Sequence, residues 1–157
     1  MDAPRRMGKV DLPPIDQIGY VVKSLDAATA RYKSVFGPFT FMESPLSGVL
    51  YRGKPSDVNL RIAFGSAGNL EIEFIEVVSG ASPHQEFLDA GREGIHHIRY
   101  RVPDCDATIA ALAGEGFAPI WYHDMGFAKF AYLEHASRDG VLLELLEMAG
   151  TPATTSR

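Results

Sequence analysis

The spacing of apolar and polar positions changes along the chain. In IDQIGYVV, residues 15–22, the two alternate and β-branched residues are frequent, which is the period of a strand with one buried face. From Ser24 the period lengthens: Leu25, Ala28, Tyr32 and Val35 recur at helical spacing, Ser24 stands where a cap is needed, and Gly37 with Pro38 marks a stop. Extended segments are predicted next around 39–43, within 47–64 and over 69–78, separated by Gly, Pro, Ser and Asp.

After a short helical connector, SPHQEFLDAGREG, the same order returns. HHIRYRV alternates, PDCDATIAALAGEGF puts Cys105, Ile109 and Leu112 on one helical face behind Asp104 as cap, and APIWYHD, AKFAYLEH and VLLELLE are three more extended stretches. Ile18 aligns with Ile98, Tyr20 with Tyr100, Val22 with Val102 and Asp26-Ala27 with Asp106-Ala107, while EIEFIE mirrors LLELLE. Because the matches preserve both order and periodicity, an internal duplication of a βαβββ unit is expected.

Strand alternation then assigns faces. Ile18, Tyr20 and Val22, and in the second unit Ile98, Tyr100 and Val102, form the apolar sides that the helices cover, and His96 shares the second of these as a core histidine. Gln17, Gly19 and Val21, and likewise His97, Arg99 and Arg101, face the other way. Ile72 and Phe74 face their helix and leave Glu71, Glu73 and Ile75 opposite; Leu143 and Leu145 leave Leu142, Glu144 and Leu146. The predicted fold is α+β: tandem βαβββ modules, about 15–80 and 95–148, form a curved, barrel-like mixed sheet around a metal-binding cleft. Residues 15–148 make one domain between a flexible N-terminus (1–14) and a flexible tail (149–157).

Such a cleft collects Gln17, Glu73, His97 and Glu144. Two carboxylates, an imidazole and an amide oxygen suit a divalent cation and leave positions open for water or substrate. Taken singly, each reads as a hydrogen-bonded polar residue on a half-buried strand. Together they favour a metal, because unpaired carboxylates facing a protein interior are costly while two around a cation are not.

Composition narrows the partners. With 157 residues, 46% of them hydrophobic, the chain can bury a substantial core without staples. A net charge of -5 with scattered Lys and Arg excludes a phosphate-tracking surface, so neither nucleic acid nor a membrane is expected as partner. The single cysteine, Cys105, cannot form an intramolecular disulfide, no signal peptide is evident and no apolar run reaches ~18 residues. A soluble cytoplasmic protein acting on a small molecule is the expectation.

The chain resembles the vicinal oxygen chelate superfamily of glyoxalase I, methylmalonyl-CoA epimerase, extradiol dioxygenases and bleomycin and fosfomycin resistance proteins. The likeness is strongest to the epimerase-like subgroup. EIEFIEVVSGASPHQEFLDAGREGIHHIRYRVPDC and GVLLELLE read like that subgroup's central and final segments, and QIGYVVKSLDAATARYKSVFG like its opening. The resemblance implies metal ligands at Gln17, Glu73, His97 and Glu144, with a divalent ion such as zinc, cobalt, manganese, nickel or magnesium. It also implies that Glu144, with Glu73 as second choice, exchanges a substrate proton. Gln17 departs from the subgroup, where His is usual, and matches the Gln, Glu, His, Glu order of zinc-dependent glyoxalase I enzymes, which slightly favours zinc. The subgroup's second acid has no counterpart in LSGVLYRGKPS, which offers Tyr51 but neither Asp nor Glu.

Arg99 and Arg101 stand where that subgroup has a small residue and an acid. Arg99 is suited to clamp a carboxylate or enolate oxygen, or alternatively to pair with Glu71. Tyr51, Trp121, Tyr122 and His123 lie on strands that would wall the cleft, and Tyr51, Tyr122 and His123 join Arg99 as candidate substrate-binding residues. A homodimer is implied by the resemblance, with Phe127 and Phe130 available for its interface. The expected activity is that of a metal-dependent isomerase, epimerase or lyase working by proton abstraction beside a carbonyl of a small substrate that carries CoA or a carboxylate. Alternatives are a glyoxalase I-like lactoylglutathione lyase, a metal-free binding or resistance protein, disfavoured by the two glutamates, and a ring-cleaving dioxygenase, disfavoured by Gln17 in place of a second histidine.

Overall fold

Two copies of one hydrogen-bonding scheme close into a barrel. The computed structural model describes residues 10–150. The first copy runs β1 (Gln17–Val21), α1 (Leu25–Phe36), β2 (Thr40–Tyr51), β3 (Lys54–Ala67) and β4 (Leu70–Ser79). A connecting helix α2 (Pro83–Asp89) leads to the second: β5 (Gly94–Arg101), α3 (Cys105–Ala113), β6 (Phe117–Asp124), β7 (Ala128–His135) and β8 (Leu142–Met148). Around the barrel the strands follow the order β1-β4-β3-β2-β6-β7-β8-β5, so each module repeats the same internal order. β1 pairs with β4, and β5 with β8, in parallel, and every other pairing is antiparallel. The expected α+β architecture of tandem modules in a curved mixed sheet is what the chain adopts. The flexible ends expected at 1–14 and 149–157 fall mostly on residues outside those described.

The duplication reaches individual hydrogen bonds. Ser24 accepts from Ala27 N–H at 3.1 Å at the start of α1, and Asp104 accepts from Ala107 N–H at 3.0 Å at the start of α3. The carboxylate of Glu76 receives Leu25 N–H at 3.2 Å, and Glu147, its counterpart on β8, receives Cys105 N–H at 2.8 Å. Each helix thus has two otherwise orphaned N–H groups satisfied, one by its cap and one by the last strand of its own module.

The core has an inside and two outsides. Val21, Val49, Val58, Leu60, Ile62, Ile75, Ile120, Trp121 and Tyr132 fill the barrel. Leu25 and Ala28 of α1 cover Ile72 and Phe74 on one flank, and Cys105 and Leu112 of α3 cover Tyr100 and Leu145 on the other. Burying each large apolar side chain is worth about 1.5–3 kcal/mol.

Three expectations need correction. Val35 is 64% exposed, because the buried stripe of α1 runs through Ala28, Thr29, Tyr32 and Phe36, and Tyr32 and Phe36 rather than Val35 meet the Phe74 ring. The break expected near Pro45 does not occur: β2 continues to Tyr51, with a register shift between Leu46 and Val49. Proline is tolerated there because its pairing with β6 begins only at Leu50, so Pro45 lies on an edge segment where no N–H is needed. Finally, His96 is buried as a core histidine should be, at 3% exposure, but not on the face that α3 covers. The β1–β5 register skips it, Gly19 opposing His97 and Tyr20 opposing Ile95, and this bulge turns both histidines to the inside, where both rings touch Tyr132.

Candidate metal centre

Register alone brings the four sequence-derived candidates onto neighbouring strands. β4, β1, β5 and β8 lie side by side. One row across them reads Glu73, Gly19, His97, Leu142, and the next reads Glu71, Gln17, Arg99, Glu144. Gln17 and His97 are fully buried, and Glu73 and Glu144 are only 8% and 9% exposed. Within the first row the packing depends on Gly19, since a Cβ there would stand 2.1 Å from His97 Cε1 and Nε2.

Hydrogen bonds orient the donor atoms. Gln17 Nε2 donates to Glu71 Oε1 at 2.7 Å, which turns the amide oxygen toward His97, 3.3 Å from Nε2. Glu73 Oε1 lies 3.2 Å from the same nitrogen, yet it is left buried without a hydrogen-bond partner. Two acceptors, an amide oxygen and a carboxylate oxygen, therefore face one imidazole nitrogen that carries at most one hydrogen, so it cannot fully satisfy both. Leaving a buried acceptor unsatisfied costs about 1–3 kcal/mol. This orphaned oxygen and donor set fit a divalent cation.

Glu144 stands further off. Its charge acts on His97, but among the described residues no three His, Cys, Asp or Glu side chains are gathered closely enough to hold an ion as they stand. Burial pushes the Glu144 carboxyl up to about 7; His97 and Arg99 oppose that rise and the Glu73 charge adds to it. For His97 burial works downward, but Glu73 and Glu144 outweigh it and leave the imidazole above its ordinary value.

The other candidates are placed unequally. Arg99 is cross-strand neighbour to both Gln17 and Glu144, and its guanidinium is tied to Asp16 at 2.8 Å and lies 3.6 Å from Glu71. Trp121 is buried in the barrel and meets the Tyr51 ring edge-on. The Tyr51 hydroxyl bonds to Glu86 on α2 and not to any of the four. Tyr122 is not brought to the site: it packs on the α3 side, its hydroxyl donating to Asp106 at 3.0 Å, because Trp121 beside it takes the inward position. His123 meets Phe130 edge-on and borders a surface groove with Met42, Leu46 and Phe127. Phe127 is 63% exposed, whereas Phe130, expected beside it at an interface, packs against the barrel interior.

Residues beyond those candidates complete the surroundings. Tyr132 stacks on His97 with centroids 4.8 Å apart, and its hydroxyl lies 2.9 Å from His84 Nε2. Burial holds His84 down at about 3 and Tyr132 well above its ordinary value, so both are neutral. In AKFAYLEH, alternation puts Tyr132 on one side with Phe130, a signal that could have placed it inside; His84 sits in the connector, where no period points to it.

Residues 16–132 match the Glyoxalase/Bleomycin resistance protein/Dioxygenase superfamily. The chain belongs to this superfamily. This chain is similar to the uncharacterized protein YqjC of Bacillus subtilis (strain 168), 27% identical over 139 residues, 87% of this chain and 93% of that protein. The methylmalonyl-CoA epimerase of Mycobacterium tuberculosis has the same fold, with TM-score 0.63 and 21% identity over 92% of this chain and 93% of that one. So does a variant of the Streptomyces coelicolor methylmalonyl-CoA epimerase in complex with 2-nitronate-propionyl-CoA, with TM-score 0.63 and 23% identity over 91% of this chain and 99% of that one. Among the described residues no helix is long and apolar enough to cross a membrane.

Proposed function

We propose that this superfamily member is a metal-dependent isomerase, epimerase or lyase that removes a proton beside the carbonyl of a small substrate. The observation that carries the reading is the meeting of Gln17 Oε1, Glu73 Oε1 and His97 Nε2, with the glutamate oxygen unpartnered. Gln17, Glu73, His97 and Glu144 would hold the ion, with zinc slightly favoured by the amide ligand. When bound, the metal supplies a Lewis acid that stabilises charge developing on a substrate oxygen, typically by several kcal/mol.

The remaining chemistry belongs to the chain. Glu144 is the first choice of base: it is a buried carboxylate beside Arg99 in the register, and its charge reaches His97. Glu73 is the second choice. Arg99, beside Glu144 in the register, offers a cation to a carboxylate or enolate oxygen. A thioester of CoA is the favoured substrate class, on the strength of the Streptomyces neighbour's bound acyl-CoA analogue. We place the protein in the cytoplasm as a homodimer, with the exposed Phe127 as its candidate interface residue.

The test combines metal analysis with isotope exchange. Purified protein is expected to carry one divalent ion per chain, and acyl-CoA or 2-oxo acid substrates are expected to take up solvent deuterium. Glu144→Ala should keep the fold and lose about 10²–10⁴-fold of that exchange. A protein without stoichiometric metal, whose Glu144→Ala variant exchanges as fast as the parent, would overturn the reading. A second reading, a glyoxalase I-like lactoylglutathione lyase, is favoured by the amide of Gln17, locked by Glu71 with its oxygen toward His97. Turnover of the hemithioacetal of methylglyoxal and glutathione, with no exchange into acyl-CoA, would select it.

A further inference from the structure

We infer that His96 is a positioning residue: it relays the backbone carbonyl of Pro83 to His97 and so fixes which nitrogen of His97 faces the centre. The inference rests on the metal-centre reading of His97, although the atoms that carry it lie outside the four ligands.

The donor and acceptor roles follow from one fixed end. Pro83 O can only accept, and His96 Nε2 lies 3.3 Å from it, so that nitrogen carries the hydrogen. Enclosed by the His84, Phe87 and Tyr132 rings and 3% exposed, His96 carries that one hydrogen and is left with a bare Nδ1. That nitrogen lies 3.1 Å from His97 Nδ1, so His97 Nδ1 must be the donor. The hydrogen on His97 is thereby committed to the side away from the centre. His97 Nε2, the atom facing Gln17 Oε1 and Glu73 Oε1, becomes the nitrogen free to coordinate. A ligating histidine ordinarily gives its second N–H to a carboxylate or a backbone carbonyl. Here the carbonyl belongs to α2, and a second imidazole spans the distance to it.

The surroundings fit this task. The β5 bulge is what allows adjacent side chains to meet, since regular alternation would send them to opposite faces. The His96 ring is held between the stacked His84 ring, 5.1 Å away, and the edge-on rings of Phe87 and Tyr132, at 5.0 and 5.7 Å. Ser82 anchors the start of α2 by accepting from Gln85 N–H at 3.1 Å, which steadies the helix end that carries the Pro83 carbonyl.

Nitrogen-15 NMR of the full, metal-free chain reads the tautomers directly. His96 is expected to show a protonated Nε2 and a bare Nδ1, and His97 a protonated Nδ1. Zinc affinity, by competition with a chromophoric chelator, is then compared in two variants. His96→Leu removes the relay and should bind zinc about 10–100-fold more weakly, whereas His96→Gln, which keeps one acceptor and one donor, should recover most of that loss. A bare Nδ1 on His97 in the parent chain overturns the inference, and so do a folded His96→Leu variant with unchanged zinc affinity and a His96→Gln variant as impaired as His96→Leu. If His96→Leu fails to fold, the tautomers of the parent still decide. If the parent shows the expected tautomers and binds no zinc, the metal reading fails and the relay stands.

Discussion

Gly19 controls how closely β1 and β5 can present their side chains, because the His97 ring occupies the space that any Cβ would need. Gly19→Ala is therefore expected to displace His97 and to destabilise the fold by about 1–3 kcal/mol, as over-packing does. Thermal unfolding together with zinc titration checks this: a variant with both the melting temperature and the zinc affinity of the parent would show that the ring has room to move. The four candidate ligands were legible in the sequence because strand alternation and the repeat agree on their faces, and Gln17 and His97 occupy equivalent positions 80 residues apart. Gly19 was not legible as a constraint, since the closeness of two strands across a sheet leaves no period in either. The His96–His97 pair shows the same limit. A single bulged residue reverses a face assignment, and nothing in HHIRYRV marks it.

At the scale of elements the period served well where an element packs along its whole length. Helices α1 and α3 lie where Leu25, Ala28, Ile109 and Leu112 predict them, and the expected caps Ser24 and Asp104 both accept the hydrogen bonds their positions call for. Strand β2 was harder to read, because much of it is exposed and Pro45, ordinarily a break, sits on its unpaired edge. The two caps make a matched experiment. Ser24→Ala and Asp104→Ala should each cost about 1 kcal/mol of stability, because each leaves one first-turn N–H without its partner while Glu76 and Glu147 still serve another. Denaturant midpoints of the two variants should shift alike, and a shift in only one module would show that the repeated geometry does not carry repeated energetics.

Across the whole molecule the modules meet at two junctions of unequal strength. β1 and β5 share five register pairs, while β2 and β6 share only Leu50 with Tyr122 and Tyr51 with Trp121. The weaker junction is clasped from outside: Arg52, at a left-handed φ of 48°, reaches Glu86 on α2 at 2.7 Å and Glu134 on β7 at 3.1 Å. The Arg52 guanidinium holds the Glu86 carboxyl below its ordinary 4.5, chiefly by hydrogen bonding. A carboxyl depressed in the folded state contributes stability above its unfolded value, and that contribution is lost as pH falls through the folded one. Glu86 is partly exposed and its share is small. Even so, the parent should lose more melting temperature than Glu86→Gln between neutral pH and the acid side of that carboxyl, and parallel curves would rule the clasp out. The stronger junction has a different consequence. In the proposed centre Gln17 and Glu73 come from one module and His97 and Glu144 from the other, so neither half supplies the full ligand set. Loading and assembly then form a single equilibrium: whatever pries β1 from β5 empties the centre, and an ion that fills it adds its binding free energy to that junction.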